Sequence, residues 1–87
     1  MKLYKMLTKD FLAEYTNGLR KLRNLTQDEM AELRITSRAY GDLERGKYCF
    51  STIVLLFLLL MLGDDELKRF LDRFRKLIYE LEQKDAA

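Results

Sequence analysis

The chain has 87 residues, no histidine and a single cysteine, which excludes an intrachain disulfide, a His-based catalytic triad and the usual four-ligand zinc site. The formal net charge is only +2, and the excess of Lys and Arg lies in the N-terminal half. With no proline, four glycines and 48% hydrophobic residues, residues 1–87 are predicted to form one compact all-α domain of five helices. We expect no catalytic residues, no metal and no cofactor, and the lack of paired cysteines fits a reducing cytoplasm.

The first predicted helix runs from about residue 8 to residue 24, where apolar side chains recur every three or four residues. Residues 1–7, which include Lys2 and Lys5, are expected to form a loose basic arm. Gly18 costs about 1 kcal/mol relative to Ala inside a helix, so this position allows a kink or an early break.

Two short helices are predicted next. Thr26 and Glu29 form a capping box, in which each side chain accepts a hydrogen bond from the backbone amide of the other residue. The box opens a helix over about 27–34, and Thr36 or Ser37 caps a second helix over about 37–45. Gly46 stands where a glycine is expected after the end of a helix.

The fourth predicted helix includes ten consecutive apolar residues, from Ile53 to Leu62. A membrane span needs roughly 20 residues, and charged residues follow at once, so we expect a core helix and no membrane association. Ser51 or Thr52 is expected to cap this helix, and Gly63 to close it. Because the helix is apolar on all sides, more than one of its faces has to be covered.

The fifth helix is predicted over residues 64–84 and carries a continuous apolar stripe. The stripe has no obvious partner within one small domain, and large exposed apolar patches usually mark an interface. We therefore expect a homodimer held largely by this helix; the alternative is a helix that folds back and seals its own monomer. The stripe consists of Leu67, Phe70, Leu71, Phe74, Leu77, Ile78 and Leu81.

The segment from Leu19 to Leu62 resembles the Cro/repressor-type helix-turn-helix domain, also called the XRE family. Two short helices joined by a tight connection suit this motif, although an ordinary helical hairpin has the same spacing. The matching pieces are Leu19-Arg20-x-x-Arg23, Leu25-Thr26-Gln27-x-Glu29-Met30-Ala31 and Leu43-Glu44-Arg45-Gly46-Lys47. The resemblance implies a small transcriptional regulator that binds double-stranded DNA, with a helix-turn-helix core over residues 8–63 and a recognition helix over about 37–45.

The resemblance also implies roles for single residues. Arg20 and Glu44 match a structural ion pair, and Gln27 matches a residue that touches phosphate. On the recognition helix the outward positions are Ser37, Arg38, Gly41 and Asp42. The predicted DNA-binding residues are Gln27, Thr36, Ser37, Arg38, Gly41, Asp42 and Lys47.

Arg38 is the predicted base-contacting residue, because its guanidinium suits the O6 and N7 atoms of guanine. The alternative is that Arg38 merely pairs with Asp42 at i+4. Thr36, Ser37 and Lys47 are expected to contact phosphate, which fixes register without reading sequence.

The chain departs from the family pattern in two places. It is one residue shorter between Ala31 and Glu44, and Gly41 removes a side chain from the recognition helix. Two alternatives to a simple repressor therefore stay open. One is an antitoxin-type regulator, which also binds a toxin; for a regulator of either kind the expected protein partner is a toxin or an antirepressor. The other is a protein-interaction module that has lost DNA binding.

Overall fold

The computed structural model describes residues 2–86, and within them every regular element is a helix. The elements are α1 (Lys2–Leu22), a 3-10 helix (Asp28–Leu33), α2 (Ser37–Glu44), α3 (Thr52–Leu60) and α4 (Asp64–Ala86). The predicted all-α, five-helix domain is thereby confirmed. Its core is a single apolar cluster to which every helix contributes.

The N-terminal helix is longer than the sequence predicts. α1 begins at Lys2, so the expectation of a loose arm over residues 1–7 is wrong for the described residues 2–7. Nothing in this stretch breaks a helix, and the Tyr4 hydroxyl donates a hydrogen bond of 2.9 Å to Glu82 on α4. The helix also continues through Gly18, where neither a kink nor a break is recorded.

The two short helices begin and end on the local signals that the sequence carries. The amide of Thr26 donates to the Glu29 carboxylate at 2.8 Å, and the amide of Glu29 donates to the Thr26 hydroxyl at 3.2 Å, which confirms the capping box. Thr36 caps α2 by accepting from the amide of Ala39 at 3.1 Å. The predicted bounds are correct to about one residue, but the first of the two helices is of the 3-10 type.

The chain leaves α2 through a left-handed residue. Gly46 has a φ of +73°, and its amide donates to the carbonyl of Leu43 at 3.0 Å. The amide of Lys47 donates to the carbonyl of Asp42 at 2.9 Å. These two bonds form a Schellman motif, which satisfies carbonyls at the end of the helix and confirms the predicted role of Gly46.

The junction between α3 and α4 differs from the sequence prediction. Ser51 caps α3 by accepting from the amide of Val54 at 3.2 Å. α3 ends at Leu60, however, and Gly63 is the residue that opens α4. The Gly63 amide donates to Glu66 at 3.1 Å and its carbonyl accepts from Leu67 at 2.8 Å. The prediction that Gly63 closes the preceding helix is therefore wrong.

α4 lies antiparallel along α1. Phe11 contacts two aromatic rings of α4, with centroid distances of 5.4 Å to Phe70 and 5.2 Å to Phe74. Arg23 and Glu66 form an ion pair of 2.8 Å at the other end of the pair of helices from Tyr4. The helix therefore folds back onto its own monomer along much of its length.

α3 is covered on one side only. Its buried residues are Val54 and Leu58, and it packs against the 3-10 helix. The opposite side is exposed to solvent at Ile53 (67%), Leu56 (56%) and Leu60 (78%). No helix within residues 2–86 is both long enough and apolar enough to cross a membrane.

Candidate nucleic-acid interface

The 3-10 helix and α2 are joined by three residues, Arg34 to Thr36. Arg34 takes a left-handed conformation with a φ of 62°, which reverses the chain between the two helices. α2 then buries Tyr40 and Leu43 against the core. The N-terminal residues of α2, Ser37 and Arg38, are exposed on the surface of the molecule.

α2 is fixed to α1 by an ion pair between Arg20 and Glu44. The guanidinium donates two hydrogen bonds of 2.8 Å to the carboxylate, one to each oxygen. Asn17 adds a hydrogen bond of 2.5 Å, and the two charged side chains are only 16% and 6% exposed. These bonds, led by those from Arg20, lower the pKa of Glu44 to about 2 in spite of its burial. The pair that the resemblance implies thus has the geometry of a structural element.

The Tyr40 side chain is fully buried in the same region. Its hydroxyl has no hydrogen-bond partner among the described residues. Burial, with a smaller contribution from the nearby Glu44 carboxylate, raises the pKa of this phenol above its ordinary value. The hydroxyl is therefore protonated at neutral pH, and Tyr40 serves as a core residue of α2.

Three of the predicted DNA-binding residues lie exposed at the start of α2. Thr36 is occupied by its capping bond, and the Ser37 hydroxyl donates to the carboxylate of Asp28. Arg38 makes no hydrogen bond or ion pair with any described residue. Lys47 is exposed beyond the end of the helix, with its ammonium 5.5 Å from the centre of the Tyr48 ring.

The other three predicted DNA-binding residues are less exposed than the first four. Gly41 is buried beneath the side chains of Arg45 and Gln27, so the prediction that it lies open to a DNA contact is wrong. Asp42 pairs with Arg45, not with Arg38. Gln27 is half-buried, and its amide nitrogen lies 3.4 Å from the Glu44 carboxylate.

Arg45 is the residue that sequence reasoning missed. It lies directly after α2, is 64% exposed, and folds back along the helix to reach Asp42 and Gly41. The sequence singles out Arg45 only as part of Leu43-Glu44-Arg45-Gly46-Lys47, a segment that resembles a family motif. The available signal was its spacing, since residues three and four apart on a helix are neighbours.

The apolar stripe of α4 is divided between the core and the surface. Phe70 is buried, and Phe74 and Leu77 pack against the same core cluster. Leu71 is the member that is clearly exposed, at 45%. The half-buried members are Leu67, Phe74, Leu77, Ile78 and Leu81.

Comparison of the chain with protein-family models, curated proteins and solved structures finds no match. The described residues also contain no group of three or more Cys, Asp and Glu side chains that could hold a metal ion.

Proposed function

We propose that the protein binds specific sequences of double-stranded DNA, as a small cytoplasmic transcriptional regulator of the Cro/repressor helix-turn-helix type. In this proposal the 3-10 helix crosses the DNA backbone and α2 lies in the major groove. One observation carries it: Arg38 stands exposed, without a partner among the described residues, on a short helix that is otherwise locked to the core.

α2 is held in a fixed position at both ends, as the recognition of bases requires. A side chain can distinguish base pairs only if its backbone is held in a fixed position, because hydrogen bonds to base edges are directional. The Arg20–Glu44 pair fixes the C-terminal end of α2, and Thr36 caps its N-terminal end. Arg38 projects from the first turn of that rigid element, where recognition helices meet base edges.

The acidic residues around this surface are largely engaged by the protein itself. Glu29 accepts from the Thr26 amide, Asp28 accepts from Ser37, and Asp42 is paired with Arg45. Arg34 makes no ion pair either, but its guanidinium donates to the carbonyl of Glu32. The charged groups of Arg38 and Lys47 make neither an ion pair nor a hydrogen bond with any described residue. They are the groups to which phosphate or base acceptors can bind without breaking an internal bond.

We also propose that the regulator is a homodimer joined through the exposed side of α3. Ile53, Leu56 and Leu60 lie three to four residues apart and form one solvent-facing stripe. α3 has no charged residue, so the surface that covers it best is equally uncharged, and a second copy supplies such a surface. An isologous contact of this kind gives a two-fold axis, as a palindromic DNA site requires.

Selection of bound sequences from a random pool of duplex DNA tests the proposed function. We expect a palindromic consensus with two half-sites about one helical turn apart. Affinity for the selected site should fall steeply with salt concentration, because phosphate contacts release counterions. Arg38→Ala should lose affinity, whereas Arg75→Ala, which removes an exposed arginine from α4, should bind like the parent. A pool that yields no enriched sequence would refute the proposal.

A further inference from the structure

The side chain of Arg45 occupies space that another residue would fill. One guanidinium nitrogen of Arg45 lies only 3.1 Å from the point at which a Cβ atom on Gly41 would stand. The other terminal nitrogen is bonded to the Asp42 carboxylate, whose side chain is 16% exposed. The guanidinium therefore rests on the bare backbone of α2, four residues before its own position.

This placement moves a cationic group along the recognition helix. Arg45 itself follows the last residue of α2, but its donors lie beside the middle of that helix. Side chains on a helix lean toward its N-terminus, and an extended arginine reaches about one turn in that direction. Glycine is the only residue type at position 41 that leaves room for the Arg45 guanidinium, because any other residue adds a Cβ atom there.

We infer that Arg45 reads a guanine base in the DNA site and that Asp42 positions it, with Gly41 providing the space. This inference rests on the proposed function, since it assigns a specificity-determining residue to the same interface. The bond to Asp42 uses one hydrogen of one terminal nitrogen. The remaining hydrogens on both terminal nitrogens form the planar fork that fits O6 and N7 of guanine.

The charge of the pair argues for a base contact and against a phosphate contact. Asp42 neutralises Arg45, so the two residues together add no net positive charge to the interface. A neutral pair releases few counterions and contributes little to sequence-independent affinity. What it keeps is directional donors in a fixed orientation, which are useful for discriminating bases.

Two glycine substitutions separate this role from stability. Gly41→Ala places a methyl group 3.1 Å from the Arg45 guanidinium and 3.3 Å from the Gln27 side-chain oxygen, and displaces the arginine. Gly18→Ala is the matched control, because nothing lies within 4 Å of the new methyl group. Both changes replace a helical glycine by alanine, so both proteins should fold.

The measurement is affinity for the selected site and for copies in which each G·C pair is replaced by A·T, at several salt concentrations. For one G·C pair in each half-site, we expect the parent and Gly18→Ala to discriminate by roughly tenfold or more. Gly41→Ala, Arg45→Ala and Arg45→Lys should lose that discrimination, because a lysine has no planar fork. All variants should keep the parent's helical circular dichroism.

Asp42→Asn tests the positioning role. It should reduce discrimination at the same base pair and steepen the salt dependence by about one charge, because Arg45 is then no longer neutralised. A purely structural role for Asp42 would not change the salt slope in this direction. The combination of lost base preference and added salt dependence is specific to the inference.

The outcomes distinguish this inference from the proposed function. A parent protein that selects no DNA sequence overturns the proposed function, and the inference with it. A parent that selects a site while Arg45→Ala discriminates equally well overturns the inference alone. So does an Arg45→Ala variant that weakens binding to all sequences equally and lowers the salt slope by about one, since Arg45 is then a phosphate contact.

Discussion

Both carboxylate oxygens of Glu44, the last residue of α2, accept hydrogen bonds of 2.8 Å from the guanidinium of Arg20 on α1. A third guanidinium nitrogen donates to the carbonyl of Leu25 at 2.9 Å, in the loop before the 3-10 helix. One arginine of α1 thus bonds both to the loop that follows its own helix and to the end of α2, 24 positions further along the sequence. The orientation of α2 on the core depends on this contact.

Removal of the Glu44 carboxylate should therefore destabilise the fold strongly. Glu44→Ala leaves the largely buried guanidinium of Arg20 without its counter-charge, and we expect a loss of about 3–5 kcal/mol in the free energy of unfolding. Denaturation with urea measures it. Asp72→Ala on the surface of α4 is the control and should change stability by no more than about 0.5 kcal/mol. A Glu44→Ala effect as small as that of the control contradicts the structural role of the pair.

The same pair makes stability depend on pH in the acid range. The pKa of Glu44 is lowered from 4.5 to about 2 in the folded protein. Its contribution is therefore fully present above pH 4.5 and is lost as the pH falls toward 2. Unfolding free energies of the parent and of Glu44→Gln should differ most near neutral pH and converge at low pH. A difference that stays constant over this range would be inconsistent with a lowered pKa.

Two glycines should respond to alanine in opposite directions. Gly18 is helical and exposed with open space around it, so Gly18→Ala should stabilise the protein by about 1 kcal/mol through helix propensity. Gly46 has a φ of +73°, so Gly46→Ala should cost about 1 kcal/mol or more. Thermal and urea unfolding of both variants checks the contrast. Equal effects would mean that the left-handed residue after α2 carries no strain when substituted.

The role of Arg38 is tested against that of Lys47. Arg38→Ala should weaken binding to the selected DNA site by about 1–3 kcal/mol and relax the preference at one base pair. Lys47→Ala should weaken binding to all sequences about equally and lower the salt slope by about one, as the loss of a phosphate contact does. Titrations at several salt concentrations give both quantities. Unchanged binding of Arg38→Ala to its selected site rules out base reading by this residue.

The exposed stripe on α3 predicts the site of self-association. Leu56→Glu places a charge in the middle of the stripe and should convert a dimer into a monomer, because a buried unpaired charge is costly. Leu71→Glu, which alters the exposed part of α4, should leave the dimer intact. Sedimentation equilibrium separates the alternatives. A monomeric parent refutes the homodimer. A dimer that is disrupted only by Leu71→Glu has its interface on α4, and the exposed stripe of α3 is then a surface for a different protein.

Local signals in the sequence were sufficient at several helix ends, where a capping residue interacts with near neighbours along the chain. The Thr26–Glu29 box, the Ser51 cap and the left-handed Gly46 all involve bonds that span three to five residues. Such bonds follow from residue type and spacing alone. The helix order and the all-α class could be predicted for this reason.

The tertiary structure alone decided the features that depend on residues from elsewhere in the chain. α1 extends to Lys2 alongside α4, where Tyr4 bonds to Glu82 across 78 positions of sequence. Gly41 is buried because the side chains of Gln27 and Arg45 cover it, and a periodic pattern cannot show which positions of a short helix are covered by neighbouring side chains. The apolar stripe of α4 likewise packs against Phe11 of the same chain, through Phe70 and Phe74. The apolar spacing of one helix cannot show this, because burial depends on how whole helices are arranged.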